Sequence, residues 1–304
     1  MHKLVYNIQS LEEYMSALKR GLHGPNKSFV KKHEALLSGA YSNYLGHTNP
    51  CTLEKLSPLW SVKNEDTTEQ KEYKLDAQQK VHDLYDTKDA FKDDHWEELQ
   101  RLNGGKGLKC PICGIQKCKH LDHYIPREKM PEFSIFTPNL IPTCEDCNGK
   151  KHEKWLNEDE ERIVFNAFFD ELPDKPICEC VITLDEHGMP KGEIKTSSLL
   201  DVNNPIDRRV LTTVEKLELI QRVWQPECDV LFNKELVRLV DDYDPILFSQ
   251  VEEYWSYKHR VLPGYQRDDA YTSFLHGIIY RSMLDSHIVK KWLLEKLSDT
   301  DMQK

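Results

Sequence analysis

Two CxxC pairs, Cys110/Cys113 and Cys144/Cys147, constrain this chain more than any other feature. Each pair can present two thiolates from one tight turn, and four thiolates together suit a single tetrahedral zinc with a structural task. Gly114 follows the first pair and Asn148-Gly149 the second, residues that tolerate the backbone such turns demand. The stretch between the pairs has few core residues, so the metal is expected to be a condition of its folding. Nine cysteines without an export signal point to metal ligation and buried thiols, not to disulfides. Cys51, Cys118, Cys178, Cys180 and Cys228 form no second double pair and are expected to pack as small apolar side chains.

The 304 residues allow one large domain or two moderate ones. With 39% hydrophobic residues, 30% charged residues and 13 glycines, the composition is that of a helix-rich globular protein. The N-terminal residues lack a long apolar run, and nothing approaches the ~18 apolar residues of a membrane span. A cytoplasmic protein with no membrane partner is expected. The net charge of -10 excludes indiscriminate coating of nucleic acid, which draws on a positive surface. Between Arg101 and Trp155, however, ten Lys/Arg face six Asp/Glu. The cysteine-framed segment is a basic island in an acidic chain.

Apolar spacing predicts helices over much of Ile8–Leu102, with Leu11, Tyr14, Met15 and Leu18 on one face and Ser10/Glu13 as a capping box. Asn64–Lys92 is polar and charged, and is expected to be a solvated helix or a mobile connector. Asn103 to Gly107 breaks the pattern. Short strands near Leu121 and Leu140, an irregular proline-containing loop and a helix from Cys144 then give the order strand, loop, strand, helix. The apolar cluster Ile163–Phe169 is expected to pack behind this segment. Cys178–Leu184 and Gly192–Thr196 read as a hairpin, and the chain from Val210 onward as helical. The expected organisation is a helical region 1–102, a metal-binding domain 103–157 and a mainly helical region 158–304 with a hairpin near 178–197. The fold class is mainly α with a small α+β insert.

Polar residues inside the cysteine frame carry chemistry. His123 is the natural general base, because neutral imidazole accepts a proton from water near neutral pH. Asp122 offers a hard carboxylate oxygen and Asn148 a carbonyl oxygen for Mg²⁺ or Mn²⁺. Strand alternation would put Asp122 and His123 on opposite faces, so they need a strand end or bulge to converge. His152, four residues after Asn148, is a candidate further ligand of that ion, and Asn139 can pin the loop near His123. Arg127, Lys150, Lys151 and Lys154 suit phosphate oxygens. His120 and Cys118 lie near the frame without fitting it, and a structural or incidental role, not ligation, is expected for both.

Together, Cys110-x2-Cys113, Asp122-His123, Asn139-Leu140 and Cys144-x2-Cys147-Asn148-x2-Lys151 resemble the HNH endonuclease family in its zinc-stabilised form. The resemblance implies a ββα-metal finger in which His123 activates water, Asp122 and Asn148 hold the catalytic cation and Asn139 is the central asparagine. The chain departs from the family's His-Asn-His pattern, since Asn148 stands at the last position. It also implies nucleic acid as substrate, DNA ahead of RNA, cleaved to a 5′-phosphate and a 3′-hydroxyl. In layout the chain is similar to HNH subunits that accompany an ATPase in Septu-type and retron-linked antiphage systems. The competing reading is a zinc-finger module without catalysis that binds nucleic acid or a protein.

Overall fold

The computed structural model describes residues 1–86, 89–244, 247, 251–261 and 274–301. The helical pattern read through 262–273 lies outside the described residues. The chain divides into two compact units, one of residues 1–112 and 116–172, the other of residues 113–115 and 173–304.

The first unit opens with α1 (Leu11–Arg20), α2 (Gly24–Lys32) and α3 (Glu34–Gly46). The Ser10 side chain accepts from the Glu13 amide while the Glu13 carboxylate accepts from the Ser10 amide, so two orphan donors of α1 are satisfied reciprocally. Tyr14, Met15 and Leu18 are buried on one face of α1. Two longer helices follow, α4 (Thr68–Asp86) and α5 (Asp89–Leu102). The expected alternative of a mobile connector is thus replaced by an α4 that buries Ala77, Val81 and Leu84, a sparse stripe three to four residues apart.

After Gly104, Gly105 and Gly107, all at positive φ, the chain enters the finger. Strands β1 (His120–His123) and β2 (Leu140–Thr143) pair antiparallel, with Asp122 opposite Ile141 and His123 opposite Leu140. Helix α6 (Glu145–Lys151) follows at once. The loop between β1 and β2 is anchored by aromatics of α1 and α3. Tyr41 stacks on Phe136 at 4.2 Å, Tyr14 meets Phe136 edge-on, and Tyr44 does the same to Phe133. Each such pair adds ~0.5–1.5 kcal/mol beyond its burial. The Tyr14 hydroxyl also donates to the Ile135 carbonyl at 2.7 Å. The N-terminal helices therefore fix the loop that the catalytic candidates lean on.

In the second unit, β3 (Cys178–Leu184) and β4 (Pro190–Thr196) form the hairpin. Helices α7 (Pro205–Lys216), α8 (Gln225–Asp241), α9 (Val251–Val261), α10 (Phe274–Asp285) and α11 (His287–Asp301) accompany it, and α8, α10 and α11 pack on its strands. Cys178, Cys180 and Cys228 are buried in this core. Gly192 lets β4 approach α8 closely, since a Cβ there would stand 2.8 Å from the Phe232 ring and 2.9 Å from the Cys180 sulfur.

Candidate active site

Cys110, Cys113, Cys144 and Cys147 are all buried, and their sulfurs lie within 4.8 Å of one another. Two backbone devices build this cluster. The Cys110 amide donates to Gln116 O at 2.7 Å and the Cys118 amide to Leu108 O at 2.8 Å, closing the first knuckle around Gly114 at φ 72°. In the second, Cys144 caps α6 and its sulfur accepts from the Cys147 amide. Four soft donors with no hard oxygen among them fit a closed structural zinc site.

Away from the cysteines, Asp122, His123, Arg127 and Asn148 line one cavity of about 530 Å³. His123 ends β1, where strand alternation ceases to separate it from Asp122. Its Nε2 lies 2.7 Å from the Ser134 carbonyl oxygen. A carbonyl only accepts, so Nε2 carries the proton, and neutral imidazole keeps its lone pair on Nδ1. Burial pushes the His123 pKa down to about 4 against the opposing Ser134 hydrogen bond, with the Arg127 and Lys151 cations lowering it further. The ring is neutral through the physiological range.

Asp122 is buried, and its Oδ2 lies 3.0 Å from the Lys151 ammonium. Burial raises the Asp122 pKa, and Lys151 opposes that shift. The same ammonium donates to the His123 carbonyl at 2.7 Å, tying α6 to the end of β1. Lys151 is only 1% exposed, so the phosphate contact expected of it is not realised. Its position three residues after Asn148 puts it on the inward face of α6, where a buried cation requires a counter-charge.

His152 also departs from expectation. Helix α6 ends at Lys151; the His152 amide still donates to the Asn148 carbonyl at 2.8 Å, but at φ 46° the residue no longer continues the helical face that carries Asn148. Its side chain is 73% exposed beside Glu153 and does not line the cavity. Lys150 is half-buried and Lys154 exposed, and both lie outside the lining as well. Asn139 is fully buried, with Oδ1 accepting from the Ile125 amide at 2.8 Å and Nδ2 donating to the Ile125 and Phe133 carbonyls. It clamps the β1–β2 loop on both sides of Ser134.

A carboxylate offers about four lone-pair sites, and Lys151 engages only part of them. With the Asn148 amide in the same cavity, the donors are hard oxygens that fit a cation such as Mg²⁺ or Mn²⁺. The cavity also holds residues that sequence reasoning missed. Tyr85 of α4 and Lys92, Asp93 and Trp96 of α5 line it, as do Lys119 and His120. His120 reaches the cavity wall. Only the tertiary approach of α4 and α5 brings in Tyr85, Lys92, Asp93 and Trp96; no local signal marked them.

Residues 110–154 match the family model described as HNH endonuclease, so over that segment the chain carries an HNH endonuclease domain. A 65-residue stretch is 38% identical to protein ea31 of Escherichia phage lambda, covering 21% of this chain. That match spans 22% of the relative's own length. No solved structure matches the chain. Among the described residues, no helix is long and apolar enough to cross a membrane.

Proposed function

We propose that this protein is a metal-dependent endonuclease that hydrolyses phosphodiester bonds of nucleic acid, DNA ahead of RNA. The observation that carries the reading is the His123 Nε2 contact with Ser134 O, because it leaves Nδ1 as the basic atom of a neutral ring in the cavity that Asp122 and Asn148 share. A finger that only binds has no need of such a base. Asp122 and Asn148 are the residues that would hold the divalent cation. When bound, that ion supplies charge stabilisation for the phosphate and the leaving oxygen.

The protein's own part is proton transfer. Nδ1 of His123 takes a proton from water as the water oxygen bonds to phosphorus; the bond from phosphorus to the 3′ oxygen breaks, and that oxygen takes a proton from solvent. Products bear a 5′-phosphate and a 3′-hydroxyl. Asn139 and Ser134 act on this step by holding the ring's tautomer and place. The acidic chain around a basic finger supports a narrower reading, an effector of bacterial antiphage defence to which a partner such as an ATPase presents the substrate.

The test incubates plasmid and single-stranded DNA with the zinc-loaded protein and Mg²⁺ or Mn²⁺, beside His123→Ala. Cleavage by the parent and a loss of roughly 10²–10⁴-fold in the variant is the expected result. Equal cleavage by both proteins defeats the assignment of His123.

A further inference from the structure

The segment 110–154 supplies only part of the cavity wall. Tyr85, at the end of α4, is the hub of the remainder. Its hydroxyl donates to the Leu121 carbonyl at 3.3 Å, and its ring meets the His123 imidazole edge-on with centroids 4.5 Å apart. The Lys92 ammonium stands 4.6 Å from the centroid of the same ring, and the Arg127 guanidinium 5.7 Å. An aromatic face attracts a cation at this range by ~0.5–2 kcal/mol. One side chain thus fixes the imidazole and two cations along a single cavity.

Proton transfer gives these cations no task. A nucleic-acid strand entering the cavity, however, brings phosphates on both sides of the one to be cut, and fixed cations beside the base are what would set its register. Asp86 and Glu128 hold the Arg127 guanidinium in place, at 3.2 and 3.6 Å. The geometry points to a phosphate subsite in which Lys92 and Arg127, both seated on Tyr85, take the backbone phosphate next to the scissile one. Helices outside the finger then register the strand for His123. The inference rests on the nuclease reading and adds the site that orients its substrate.

The experiment measures anisotropy of a short fluorescein-labelled single-stranded DNA with the full, zinc-loaded chain, over a salt series without added divalent ion. Each phosphate contact contributes about 0.7 to the slope of log affinity against log salt for a single strand. Lys92→Gln is expected to flatten the slope by about that amount and to weaken binding uniformly across sequences. Lys31→Gln, at an exposed position on α2 outside the cavity, makes the same charge change and should keep the parent slope. Tyr85→Leu should reproduce the Lys92→Gln slope, and Tyr85→Phe, which retains the ring, should restore it. A parent slope in Lys92→Gln, or an equal loss in both lysine variants, overturns the subsite and leaves the nuclease reading standing. A parent that binds no strand at the lowest salt overturns the subsite, and the cleavage comparison with His123→Ala decides the nuclease reading separately.

Discussion

The two ends of the finger contrast in every physical respect. At the cysteine end, four sulfurs converge in a dry cluster whose soft donors leave no open position. At the cavity end, carboxylate, amide and imidazole line an open, polar space of about 530 Å³. The same short strands and helix serve both, so the difference lies in donor chemistry and access to water. The closed end suits a structural metal, and the open end carries the groups that proton transfer needs. Yet the open end contains one element of the other kind, the buried pair of Asp122 and Lys151.

The largest effect expected from breaking this contrast is at the cysteines. Cys144→Ser should release about one zinc per chain and unfold the finger, since structural zinc contributes ~10–16 kcal/mol to such segments. Zinc content and circular dichroism read this, and retained metal with native structure would sink the assignment. Next comes Asp122→Asn, which strands the Lys151 ammonium in the interior. A loss of ~3–5 kcal/mol by urea titration is expected, with zinc retained; an unchanged midpoint would mean the pair is not buried in solution. Asn148→Ala, in contrast, should abolish cleavage while moving the midpoint by less than ~1 kcal/mol.

Asn139→Ala should cost ~2–4 kcal/mol, because it leaves the Ile125 amide and carbonyl unpaired inside the protein. The last change is acid-driven. His95 is buried with Nε2 on the Leu140 carbonyl, and burial pushes its pKa from 6.5 down to about 4. Between those values the unfolded chain binds the proton that the folded chain refuses. The His95 contribution is therefore complete above about pH 6.5 and declines as pH falls toward 4, by at most about 3 kcal/mol. Stability of the parent relative to His95→Gln should drop across that window, and a constant difference would contradict it.

How much of this could be read from the sequence follows from the range of the interactions. The CxxC pairs, the Ser10 capping box and the hairpin of β3 and β4 are set within a few residues, and the sequence carries them openly. Lys151 lay within reach of the same reasoning. Its three-residue offset from Asn148 placed it on the face of α6 that Asp122 meets, but side-chain chemistry alone suggested a surface phosphate contact. His152 was misplaced because one residue at positive φ ended the helix early. Tyr85, His95 and Trp96 were illegible, since their meaning arises only where α4 and α5 meet β1 and β2.

The Tyr85 hydroxyl on Leu121 O and its ring against His123 have a consequence for how such a finger travels between proteins. Cut out at residues 110–154, the finger would keep its zinc turns but lose the ring against His123 and the α1 and α3 aromatics that hold the Ser134 loop. It is not a portable cassette. Any host that acquired it would have to supply its own wall, and a different wall would admit a different strand.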